Sequence, residues 1–122
     1  MSESGANQAV VIQRQGLDQL IAELARRGHT VIGPTVRDQA ILYEEISSTA
    51  DLPEGLTDEQ EGGTYRLRER DDNALFGYNV GPNSWKSHLF PSTLTLWKGR
   101  KGEDGEINFE PEQRETPRYA FI

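Results

Sequence analysis

Leu17, Leu20, Ile21 and Leu24 recur at i, i+3, i+4 and i+7, the spacing that lays apolar side chains along one face of a helix. Asp18 falls in the first turn of that helix, Arg26 and Arg27 in its last, and Gly28 at its C-terminal stop, where each suits the backbone charge or conformation. Elsewhere the apolar period shortens. Ala9–Gln13 predicts a short strand ahead of the helix, and His29–Arg37 and Gln39–Ile46 predict a strand pair. Because proline removes a ladder donor, the first member of that pair should lie at an edge or bend at Pro34. Tyr65–Arg70 and Ala74–Val80 predict two more strands about the turn Asp71-Asp72-Asn73. Thr93–Lys98 and Ile107–Phe109 are joined by the hairpin-like run KGEDGE.

After the turn Gly81-Pro82, Asn83 or Ser84 can cap a short helix that runs through Leu89. Ser47–Gly63 reads as one long acidic loop. Residues 1–8 are small and polar and predict a disordered tail. The closing Tyr119-Ala120-Phe121-Ile122 has no polar residue after it and reads as the first half of a buried strand, as in a segment of a longer protein. The fold class that follows is α+β: residues 9–122 as a single domain, with a small mixed or antiparallel sheet, one main amphipathic helix and one short helix.

Composition narrows the function. The apolar fraction is 34%, below the roughly 45–50% of globular domains, although that range includes glycine and this chain has 12. A modest core with long irregular segments follows. A net charge of −7 disfavours nucleic acid and anionic membranes as partners, since both are bound by neutralising phosphates. No apolar run approaches the roughly 18 residues of a membrane span, and the N-terminus lacks a secretory pattern, so the expected location is cytoplasmic. The chain has no cysteine and two histidines, which removes thiolate chemistry and any cysteine-ligated metal or cluster within these residues.

Candidate chemistry concentrates in Thr64–Pro91, where Tyr, Phe and Trp alternate with Arg and Lys. Tyr65, Arg66 and Arg68 would present a ring and guanidinium forks from one strand to an anion or a partner protein. Equally, those arginines can pair with the acids around them as an ordinary solvated face. Ser84, Trp85 and Lys86 open the short helix, offering backbone N–H groups, a stacking surface and a point charge. The alternative is that Trp85, Leu89 and Phe90 anchor the core. His29 and His88 have no partners in a triad-like spacing and read as structural or surface residues. Glu44-Glu45 and Asp71-Asp72 are sequence neighbours, which a strand sends to opposite faces, so no acid–base pair and no catalytic residue is expected.

Read in order, Val31-Ile32-Gly33-Pro34, Ala40-Ile41-Leu42-Tyr43, Asp51-Leu52-Pro53-Glu54-Gly55, Asp58-Glu59-Gln60, Tyr65-Arg66-Leu67, Leu75-Phe76-Gly77-Tyr78 and Gly81-Pro82-Asn83-Ser84-Trp85-Lys86 form a motif string. It resembles the N-terminal region of the hydrogenase/sulfur reductase (sulfhydrogenase) beta subunit family, to which a component of anaerobic sulfite reductase also belongs. The resemblance runs from about Leu17 to Ile122. Gln39 and Glu61 depart from it, standing where many relatives carry Gly and Pro. The resemblance implies an electron-transfer subunit of a cytoplasmic hydrogenase or reductase complex, with two 4Fe-4S clusters held by cysteines downstream of these residues. The partners it implies are that downstream cluster domain and other redox subunits. The residues alone leave two further readings: a free-standing module holding a nucleotide or flavin through Thr64–Pro91, and a scaffold whose acidic loop docks a basic partner.

Overall fold

The computed structural model describes residues 9–79, 81 and 83–122. The tail predicted to be disordered, Val80 at the end of an expected strand, and Pro82 of the expected turn lie outside these. The chain is α+β, with two helices and three small sheets among the described residues. Helix α1 (Arg14–Arg26) is followed by strands β1 (Thr30–Arg37) and β2 (Ala40–Glu45), a 3-10 turn (Thr49–Asp51), and strands β3 (Leu56–Glu61) and β4 (Thr64–Glu69). A four-residue helix α2 (Lys86–Leu89) precedes strands β5 (Trp97–Lys101), β6 (Ile107–Pro111) and β7 (Tyr119–Phe121).

Helix α1 starts earlier than Asp18 would place it. Its first turn holds no acid, and Asp18 lies a turn inside. There its carboxylate accepts the Thr49 N–H at 2.8 Å, pinning the helix to the 3-10 turn instead of serving the helix end. Arg14 adds a two-pronged pair to Glu54 at 2.6 and 2.8 Å. At the other end Gly28 adopts φ +82 beyond the last turn, so the predicted stop is where the helix ends. Ile21 is fully buried, with Leu17 and Leu24 beside it, whereas Leu20 is exposed. Only the 17/21/24 stripe meets the sheet, and Leu20 sits on its flank. Residues 9–13 form no strand. Val10 and Val11 are exposed with no strand edge beside them, and Ile12 folds against Gly16 at the helix start.

The main sheet has the order β2-β1-β7, with β2 antiparallel and β7 parallel to β1. Pro34 therefore sits in the central strand, not at the edge. It is tolerated because of phase. Thr30 and Ile32 bond towards β7, through Thr30 N–H to the Arg118 carbonyl and Ile122 N–H to the Ile32 carbonyl. Pro34, two residues on, turns its missing donor to the same side, where pairing with β7 has already ended at Ile32. Across from it, Gly33 admits Ile46: a Cβ at Gly33 would lie 2.5 Å from Ile46 Cδ1. Ile21, Val31, Ile46 and Leu52 form the buried cluster, with Leu75 and Ile122 packed on it.

The acidic stretch is not one loop. Ser47 and Ser48 give their N–H groups to the Asp51 carboxylate at 2.7 and 3.2 Å, closing a capped 3-10 turn. Residues 56–61 then pair antiparallel with β4 about Gly62-Gly63. Alternation was hidden there because every residue of LTDEQE after Leu56 is polar. Gly55 joins turn to strand at φ +66, and a Cβ there would meet the Asp72 carbonyl at 2.9 Å. The described residues of the expected strand Ala74–Val80 are irregular. Their backbone groups are taken individually: the Ala74 carbonyl by Gly55 N–H at 2.8 Å, and Asn79 N–H by Asp58 at 2.6 Å. The Arg70 side chain lies against Gly77 in the place of a strand neighbour.

Near the end of the chain, the strand expected over Thr93–Lys98 begins only at Trp97, and β6 extends to Pro111. The KGEDGE run closes the hairpin as expected, with Gly102 N–H on the Glu106 carbonyl at 2.8 Å and Gly105 at φ +83. Strand β7 forms, but it is half-buried at Tyr119 and Ala120 and exposed at Phe121.

Candidate functional site

Strand β4 alternates, so Tyr65 and Leu67 face the body of the molecule while Arg66 and Arg68 face outward with Glu59 and Glu61 of β3. Tyr65 is half-buried. Its ring lies against Gly81, 3.3 Å from where a Cβ would sit, and its Oη accepts the Ile41 N–H at 3.4 Å. Arg68 gives two bonds to Glu59 at 2.6 and 2.7 Å, the neutralised face that the surrounding acids suggest. Arg66 stands beside it without an ion pair among the described residues. Together with Thr64 these four charged side chains line one shallow recess.

Ser84, Trp85 and Lys86 belong to a second place. The N-cap of α2 is Trp85, with no side-chain cap, and not the expected Asn83 or Ser84; Ser84, one residue earlier, accepts the Lys86 N–H at 3.2 Å. Trp85 stacks at a tilt on Phe121 of β7, ring centroids 5.4 Å apart. His88 Nε2 lies 2.7 Å from the Tyr43 carbonyl, and since a carbonyl can only accept, that nitrogen is the protonated donor. The His88 ring meets Tyr119 edge-on at 5.6 Å. This block is a clasp between β2 and β7, and His88 has the structural role its sequence position suggests. His29 has one too, with Nδ1 3.3 Å from the Leu24 carbonyl at the end of α1. Trp85, Leu89 and Phe90 are not core anchors: they are 41%, 47% and 75% exposed. Lys86 is exposed at the start of a helix too short to carry much of a dipole. The structure thus keeps Tyr65, Arg66 and Arg68 on one hairpin and Ser84, Trp85 and Lys86 on the clasp.

Electrostatics in this region serve folding. Arg70 and the Ala74 N–H hold Asp72 down to a pKa of about 2, and burial beside Tyr43 and Tyr65 pushes the Tyr78 phenol up. No cluster of three His, Cys, Asp or Glu able to hold a metal occurs among the described residues, and the chain carries no cysteine for a cluster. Among the described residues no helix is long and apolar enough to cross a membrane.

One surface stands apart. In the hairpin β5–β6 the register pairs Trp97 with Pro111, Gly99 with Phe109 and Lys101 with Ile107. All six therefore share a face, while Lys98, Arg100, Asn108 and Glu110 share the other. The Phe109 ring lies over Gly99, 3.2 Å from where a Cβ would be. Trp97, Ile107 and Phe109 are 63%, 60% and 70% exposed, and every residue of both strands is exposed. Leu94 and Leu96, on the approach to β5, are exposed as well. The alternation of Ile107–Pro111 is visible in the sequence, but it does not show that the apolar face stays uncovered.

No family model, curated protein or solved structure matches the chain.

Proposed function

We propose that this chain is an interaction domain of an iron–sulfur electron-transfer subunit, contributing docking surface and no chemistry of its own. The observation that carries the docking part is the β5–β6 hairpin, whose apolar face has no cover among the described residues. Contiguous apolar surface of this kind marks a binding site on a soluble protein. The redox context rests on the motif string of residues 17–122 and its likeness to the sulfhydrogenase beta subunit. On this reading the 4Fe-4S clusters belong to residues beyond this chain, the complex is cytoplasmic, and its other members are redox subunits. The nucleotide or flavin reading draws less support, because Arg68 is already neutralised by Glu59, and Arg66 and Arg68 line one recess while Ser84 lines another.

The test is retrieval of partners from the source cells with the affinity-tagged chain. A co-purifying protein with broad visible absorption that bleaches under dithionite, lost with Phe109→Asp, is the expected result. Partners without any such chromophore would overturn the redox part, and retrieval indifferent to Phe109→Asp would overturn the docking part.

A further inference from the structure

We propose that the free edge of β5 accepts a third strand from a partner protein, an extended segment that alternates acidic and apolar residues. This rests on the reading of the chain as an interaction domain and names what the hairpin binds. Two hydrogen bonds set the phase of the hairpin: Glu112 N–H to the Leu96 carbonyl at 2.9 Å, and Gly102 N–H to the Glu106 carbonyl. Even-numbered residues of the two strands therefore bond to each other, and the backbone groups of Trp97, Gly99 and Lys101 point away from β6. Those groups have no strand beside them among the described residues. The outer edge of β6 is less suited, because Pro111 falls in its outward phase and has no N–H to offer.

Charge selects the occupant. Strand β5 carries Lys98, Arg100 and Lys101 and no acid, in a chain whose net charge is −7. Lys98 is paired with Glu112 at 2.6 Å, but Arg100 and Lys101 have no ion pair among the described residues. The acids of the hairpin lie at its tip (Glu103, Asp104, Glu106) and on β6, where Glu110 stands opposite Lys98 and Asn108 stands opposite Arg100. A second β5 added antiparallel would set cation against cation, a cross-strand arrangement that destabilises. An acidic strand sets carboxylates opposite Lys98 and Arg100 on one face. On the other it sets apolar side chains beside Trp97 and Phe109, covering the exposed rings.

The probe is the alternating hexapeptide Glu-Val-Glu-Val-Glu-Val, with its lysine counterpart as control, added to the full chain while amide hydrogen exchange is followed. The expected result is slowed exchange at Trp97, Gly99 and Lys101 with the glutamate peptide only. Affinity should weaken with salt and fall about tenfold in Arg100→Glu, as an attractive cross-strand pair becomes a repulsive one. Equal protection by both peptides, protection by neither, or protection of Ile107 and Phe109 instead would overturn the proposal. So would a dimer in the ultracentrifuge that Phe109→Asp dissolves, since the occupant would then be a second copy. The two readings fail separately. Partner retrieval lost in Phe109→Asp but intact in Arg100→Glu removes the acidic strand and keeps the interaction domain, whereas retrieval intact in both removes both.

Discussion

Strand β2 and strand β5 are both sheet edges, and the chain finishes them in different ways. Two outward groups of β2 are met by side chains from the 64–91 segment: Ile41 N–H by Tyr65 Oη and the Tyr43 carbonyl by His88 Nε2. The outward groups of β5 are met by nothing described, and beside them lies the apolar face of Trp97, Phe109 and Ile107. Unsatisfied edges invite association, and proteins that do not use them cover them. The same small chain caps part of one edge with two side chains and, among the described residues, leaves the other bare. That difference is the ground for reading the first region as part of the fold and for proposing the second as a docking surface. It also changes what the aromatic and basic segment is for: Tyr65 and His88 seal a sheet, and Trp85 braces β7.

The comparison can be broken most forcefully from the folded side. Ile21 is fully buried in the cluster with Val31, Ile46 and Leu52. Ile21→Ala should lower unfolding free energy by about 2–5 kcal/mol, read by urea denaturation. A loss as small as that of a surface change would mean the helix is not packed as described.

Next in size is the turn that joins α1 to the sheet. Ser47 N–H and hydroxyl and Ser48 N–H hold the Asp51 carboxyl below its usual range. Asp51→Ala should cost about 1 kcal/mol, the usual loss of a cap. Asp18, bonded to the Thr49 N–H, and Asp72, paired with Arg70 and at about 2, are depressed as well. Carboxyls lower in the folded state than in the unfolded chain stabilise fully above the unfolded value of about 4, and that stabilisation is lost as pH falls towards 2. The thermal midpoint should therefore drop between pH about 4 and about 2, and the drop should shrink in Asp51→Ala.

An effect of similar size separates the two edges directly. Tyr65→Phe keeps the ring on Gly81 and removes only the hydroxyl that receives Ile41 N–H, a loss of about 0.5–1.5 kcal/mol. Faster exchange of the Ile41 amide should accompany it. The smallest change belongs to the hairpin: Phe109→Asp, at a 70% exposed position, should alter stability by less than about 0.5 kcal/mol. A large loss there would mean that the hairpin belongs to the fold.

Much of the fold was legible because it follows local rules. The helix stripe, the Gly28 stop, the β1–β2 pair and the KGEDGE hairpin turn each show in a few adjacent residues. The failures share a cause, which is that tertiary partners decide where local pattern is weak. Asp18 left the helix end for Thr49, residues 56–61 became a strand only opposite β4, and Ala74–Asn79 lost strand form to partners at Gly55, Asp58 and Arg70. Of the candidate site, the pairing of Arg68 with an acid of the 47–63 stretch was foreseeable from neighbours, whereas the cap of α2 fell on Trp85 and not on Asn83 or Ser84. The exposed hairpin face was not, because alternation in a strand shows two faces without showing that one remains uncovered.

The direct test is amide hydrogen exchange across the chain, alone and bound to the partner it retrieves. Slowed exchange on binding across 97–111, with Ile41 unchanged, is the expected result. Protection confined to 64–70 and 84–89, with the hairpin exchanging as in the free chain, would contradict it.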